Sequence, residues 1–126
     1  MPEEARLGPF LVRVEHERVE AYRRSVGASG ETLPAAFPIC WLGQAEIRGA
    51  VEQACAGRVP LHEGQAFEYA RPLELGCEYR LSLILREQDG PPRLALEAKV
   101  ETADGEPCLR METLLRLVAP PMELSA

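Results

Sequence analysis

The chain has 126 residues, enough for one domain, and its 46% apolar and 27% charged content is that of an ordinary globular protein. Its net charge of −6 argues against nucleic acid and anionic membranes, which both need a cationic face. No apolar run reaches the length that crosses a bilayer.

The opening "MPEEARLG" has neither the basic nor the apolar region of a signal peptide, so a cytoplasmic protein is expected. Cys40, Cys55, Cys77 and Cys108 are widely spaced and form no CxxC pair. They are read as reduced thiols rather than metal ligands, and no metal or cofactor is implied.

Residues 10–14, "FLVRV", suit a short strand. Residues 17–26 suit a small amphipathic helix, with Val19, Tyr22 and Val26 on one face and Gly27 as its stop. "GASGETLP" follows as a loop. Residues 40–57, "CWLGQAEIRGAVEQACAG", are the best helix candidate and the longest expected. Ile47, Ala50, Val51 and Ala54 share a face there, and Gly57 ends it.

Beyond residue 57 the period changes to two. Leu81, Leu83 and Leu85 alternate with polar residues, as do Leu94, Leu96, Ala98 and Val100, and then Leu109, Met111, Leu115 and Leu117. The turn signals "DGPP" at 89–92 and "DG" at 104–105 separate these runs. The spacing predicts a strand, a small helix, a long helix and then a four-strand meander. An antiparallel sheet with one apolar face needs a cover, and the long helix supplies it. The fold class is therefore α+β, one domain over residues 1–126 with its core at about 10–118 and a loose tail at 119–126. Open outer strands favour pairing with a second subunit.

"VPLHEGQAFEYARPLELGCEYRL", at 59–81, holds His62, Gln65, Phe67, Arg71, Pro72 and Gly76. Together with "LPAAFPICW" before the helix and "VETADGEPCLRMETLLRLV" after it, this stretch resembles the N-terminal, MaoC-like class of hotdog-fold acyl-thioester dehydratases. The resemblance covers residues 10–118. It implies a hotdog fold, a sheet wrapped round a central helix. It also implies a substrate that is an acyl-CoA or acyl-carrier-protein thioester of fatty-acid metabolism. The partner it implies is a second hotdog subunit, either another copy or a catalytic one.

Active hydratases of this kind carry an Asp and a His in a D-x-N-P-x-H-like loop. The corresponding "SVGASGETLPAAF" has neither residue. The only two Asp, Asp89 and Asp104, each precede Gly in a turn. A related motif, His-Phe-Pro with a helix Glu, is also broken, because Ala36 stands before Phe37 and Pro38 and Glu46 comes too early. With these departures the resemblance implies a non-catalytic or weakly catalytic, substrate-binding subunit that shapes the tunnel for an active partner.

Dehydration of a 3-hydroxyacyl thioester needs a base, an acid and donors for an enolate-like oxygen. The candidates for the first two are His62, with Glu63 or Glu46 as its carboxylate. Donors would come from backbone N–H groups near Cys40, Trp41 and Leu42, if the long helix begins there. Strict alternation puts His62 on the face opposite Phe67, unless a bulge at Gly64 resets the phase. The plain alternative is that His62 bonds a neighbour and orders the pocket wall. His16 reads as a solvated helix-start residue.

Glu46 also suits a hotdog thioesterase, against the plainer reading of a surface charge. Arg71 either meets a phosphate of the thioester's handle or ends a strand with Pro72. Gln65, Phe67, Trp41 and Cys40 complete the candidate binding set. Phe67, Tyr69 and Trp41 equally suit core or subunit contacts. Cys40 is either a thiol of lowered pKa at a helix start or a small buried hydrophobe. A dimeric acyl-binding protein without turnover is the third functional class open to this sequence.

Overall fold

The structure, a computed structural model, describes residues 4–27 and 33–120. Five strands and two α-helices follow the order β1 (Glu4–Arg13), α1 (His16–Val26), a 3-10 helix (Phe37–Gly43), α2 (Ala45–Cys55), β2 (Val59–Tyr69), β3 (Glu78–Gln88), β4 (Arg93–Glu101) and β5 (Pro107–Val118). All strand pairs are antiparallel, in the order β1-β3-β4-β5-β2.

The period-two runs become the central strands. Leu81 faces Val100, Leu83 faces Ala98 and Leu85 faces Leu96, while Ala98 faces Met111 and Val100 faces Leu109. These residues are buried on one side of the sheet with Phe37, Trp41, Ile47 and Cys55 from the helical layer. The other side carries the charges. Glu97 stands opposite Glu112 and Arg93 opposite Arg116, like-charge pairs that repel unless bridged. Arg110 bonds both glutamates of the first pair, and Glu63 bonds both arginines of the second.

Three expectations change. The first strand starts at Glu4 rather than residue 10, because its first half is held by backbone pairing to β3 and carries little apolar alternation. The 40–57 helix is not continuous. Gln44 is extended (φ −64°, ψ 137°), so a 3-10 helix precedes it and α2 follows, and α1 and α2 are both 11 residues long. The break is anchored from afar: Trp41 Nε1 donates to the Arg13 carbonyl and Gln44 Nε2 to the Leu11 carbonyl. The four-strand meander is only three strands, β3 to β5. The strand at 59–69 pairs with β5 at the far edge instead of with β3.

Other expectations hold. The α1 helix starts at His16, which is exposed, and Gly27 ends it in the left-handed conformation (φ 69°) that glycine adopts without strain. Both turn signals fall between strands. All four cysteines are free. The loop segment 28–32 and the tail from 121 lie outside the described residues. No helix among the described residues is long and apolar enough to cross a membrane.

Candidate functional site

The site is built by an irregularity in β2. His62 pairs with Leu115 and Gly64 with Leu114, so Glu63 is an extra residue opposite no partner. In an unbroken strand, residues three apart point to opposite faces. The bulge, at Glu63, breaks the strict alternation that would have set His62 opposite Phe67, and places it on the same face as Gln65, Phe67 and Tyr69. That face is the one lined by Leu109, Met111 and Thr113, their partners on β5.

Glu63 goes the other way. Its carboxylate lies 2.5 Å from Arg93 Nε and 3.0 Å from Arg116 Nε on the charged face. The hydrogen bond from Arg93, reinforced by the charge of Arg116, holds its carboxyl below the usual carboxylate range. Glu63 is therefore not brought to His62.

Gln65 is the centre of a polar cluster. Its Oε1 accepts from Thr113 Oγ1 at 2.7 Å and lies 3.1 Å from His62 Nε2. Thr113 is 4% exposed. A carboxamide oxygen can only accept, so with the amide in this orientation the His62 nitrogen facing it is the protonated one. Among the described residues, the buried Gln65 Nε2 has no hydrogen-bond partner.

His62 and Thr113 open onto a cavity of about 580 Å³ between the helical layer and the sheet. Ile39, Leu42 and Val51 form one wall, and Pro60, Leu96 and Leu115 the other. Arg48 and Glu52, an i,i+4 ion pair at 3.4 Å, stand at the side of α2. Its size falls in the range of ligand sites, roughly 300–1,000 Å³, which combine apolar walls with a few polar groups.

The other candidates lie elsewhere. Glu46 is exposed in the first turn of α2 and does not line the cavity. Trp41 is a core residue, in edge contact with Phe37 and tilted against Tyr79. Cys40 is half-buried in the 3-10 helix, and burial pushes its thiol up rather than down. Phe67 packs half-buried against the core. Arg71 is exposed and paired with Glu106, at a separate groove formed with Leu33, Tyr69, Pro72 and Leu73.

Because α2 starts at Ala45, its free N-terminal amides are those of residues 45–47 and not those near Cys40. Thr113 went unread in the sequence, although its signal was present: it fills an apolar slot between Met111 and Leu115. Val51 was legible as part of an apolar helix face, but its meeting with Ile39 and Leu42 was not, since the helix break that aims them is anchored on β1. Among the described residues, no group of three or more His, Cys, Asp or Glu side chains could hold a metal ion.

No protein-family model and no curated protein sequence matches the chain. Solved structures do. The 3R-hydroxyacyl-ACP dehydratase HadBC complex from Mycobacterium tuberculosis superposes with a TM-score of 0.69 at 16% identity, covering 89% of this chain and 93% of that one. A hot-dog-like protein from Thermanaerovibrio acidaminovorans gives 0.63 at 16% identity, covering 92% and 81%. The (R)-hydratase from A. caviae gives 0.57 at 18% identity, covering 94% and 96%. The chain has the hotdog fold.

Proposed function

We propose that this hotdog chain is the acyl-binding member of an acyl-thioester hydratase or dehydratase. It seats the acyl chain of a CoA or carrier-protein thioester in the cavity between α2 and β5. The observation that carries this reading is an apolar cavity whose one imidazole, His62, is hydrogen-bonded to an amide rather than to a carboxylate. Dehydration moves one proton from the α-carbon and another to the departing hydroxyl, which takes a base and an acid in register. A lone imidazole paired through Nε2 with the Gln65 amide provides polarity for recognition, and a second hotdog subunit would supply the catalytic pair. The dehydratase and hydratase of the same fold, at TM-scores of 0.69 and 0.57, support that chemistry.

Two edges are available for the second subunit. The edge of β1 is broken by a bulge between Leu7 and Phe10, and Trp41 and Gln44 occupy two of its carbonyls. Among the described residues the β2 edge has no such cover, and Leu61 within it is 51% exposed. Open edges of this kind are templates for pairing, so β2 is the side we assign to the partner, a second copy or a catalytic hotdog subunit.

The test uses the purified chain with crotonyl-CoA and a long-chain enoyl-CoA, first alone and then with a catalytic hotdog subunit. The expected result is acyl-CoA binding without loss of the enoyl absorbance by the chain alone, and faster loss of it by the pair. Turnover by the chain alone overturns the binding-subunit reading. Release of free thiol instead turns the assignment to a thioesterase and directs attention to Glu46.

A further inference from the structure

A strand residue and the one three places on normally point to opposite faces, so His62-x-x-Gln65 is a spacing that works only across a bulge. Here the bulge residue Glu63 is pinned outward by Arg93 and Arg116, and the two side chains meet on the cavity side. The Gln65 oxygen is anchored in turn by the hydroxyl of Thr113, a buried residue on β5, which has β4 and β2 on either side.

We infer that Gln65 is a positioning residue that decides which nitrogen of His62 faces a ligand: its carboxamide oxygen, shared with Thr113, holds Nε2–H and leaves Nδ1 as the acceptor for an O–H group on the acyl chain. The inference rests on the acyl-binding reading of the cavity and deepens it. Among the described residues Nδ1 has no hydrogen-bond partner, and His62 is exposed along the cavity wall. An apolar cavity whose free imidazole nitrogen bears a lone pair selects an apolar chain bearing a hydroxyl over the same chain without one.

The amide has two orientations and each dictates one tautomer. With the oxygen toward Thr113 and His62, the ring is protonated on Nε2 and the buried Gln65 NH2 stays unpartnered. Turned over, the NH2 would donate to both neighbours and the ring would carry its proton on Nδ1, losing the acceptor.

The experiment reads that tautomer directly. Long-range 1H–15N correlation spectra of the full chain at about pH 8, where an ordinary imidazole is neutral, resolve its two histidines, and His16→Gln assigns them. The expected His62 signal is the Nε2–H tautomer in the wild type and in Gln65→Glu, and a solvent-like mixture in Gln65→Leu. In parallel, calorimetry with 3-hydroxydecanoyl-CoA and decanoyl-CoA should show about fivefold tighter binding of the hydroxy chain, the worth of one neutral hydrogen bond. Gln65→Leu should lower that preference, read as the ratio of the two affinities in the same variant. An Nδ1–H tautomer in the wild type, or a preference untouched by Gln65→Leu, overturns the inference and leaves the acyl cavity standing if decanoyl-CoA binds. If neither thioester binds, the acyl-cavity reading and the ligand half of this inference fall together, and the tautomer spectra alone judge the role of Gln65.

Discussion

Replacing Thr113 by valine isolates the anchor of the polar cluster. Valine has nearly the shape of threonine, so the buried site keeps its packing and gains no cavity. What disappears is one hydroxyl-to-carbonyl hydrogen bond of 2.7 Å. The Gln65 oxygen keeps His62 as a partner, so no new buried polar group is orphaned, and the cost is that of the bond itself, about 1 kcal/mol. For a domain of this size that corresponds to a melting temperature lower by roughly 3–6 °C.

The decisive form of the experiment is a double-mutant cycle with Gln65→Leu, read by urea unfolding. In the wild-type background Gln65→Leu strands the buried Thr113 hydroxyl, while in the Thr113→Val background there is no hydroxyl to strand. Terms private to either residue cancel, including the unpartnered Gln65 NH2. The expected coupling is about 1 kcal/mol with unchanged denaturant slopes. A coupling within about 0.3 kcal/mol of zero would mean that the two side chains do not meet, and would refute the cluster.

Val51→Trp fills the cavity from the helix side, where Val51 is half-buried. It should cut decanoyl-CoA affinity at least about tenfold while the far-UV spectrum stays native, with calorimetry as the check. Glu97, its side chain 12% exposed, is pushed up by burial but pulled further down by the hydrogen bond from Arg110 and the positive charge around it, so its native pKa lies below the ordinary 4.5. The unfolded chain then binds more protons near that value. Stability from Glu97 is therefore full above about pH 4.5 and drains as pH falls through the native value. Glu97→Gln should flatten that acid limb in melting curves run from about pH 3 to about pH 7, and an unchanged limb would dismiss the carboxylate as its source. Gly8→Ala should cost about 2 kcal/mol, because φ is +98° and a Cβ would meet the Leu81 carbonyl of β3 at 2.8 Å. Gly64→Ala, where the nearest atom is Leu114 Cβ at 3.7 Å, should stay within about 0.5 kcal/mol, so urea midpoints of the two variants check both.

The sequence spoke clearly wherever a local pattern met a local cause. Leu81 to Leu85, Leu94 to Val100 and Leu109 to Leu117 alternate because one face of each strand is buried and the other wet, and the turns between them are short. Gly27 marked a helix end for the same reason. The misses share a different origin. The crossing of β2 to β5 is a pairing between residues about fifty apart, for which 59–69 carries no address of its own. The break at Gln44 depends on two side-chain bonds to β1, about thirty residues earlier. Glu4 to Pro9 form a strand with no buried residue, so hydrophobic spacing is silent there.

The candidate site divides along the same line. His62 and Gln65 were visible as a motif, but the bulge that unites them stood in the sequence only as an exception to the alternation that set His62 on the opposite face. Their partner Thr113 and the walls from Leu42 and Val51 come from other elements. Glu63, adjacent to His62 in sequence, is directed away from it by the bulge and held by two arginines across the outer face.

The claim that the cavity between α2 and β5 holds an acyl chain is tested most directly by photolabelling with a medium-chain acyl-CoA carrying a diazirine at its far end. Peptide mapping should place the label on Ile39, Leu42, Val51 or Leu115, with loss of labelling in Val51→Trp. Label on the Tyr69–Leu73 groove instead, or labelling that Val51→Trp leaves intact, would contradict the account.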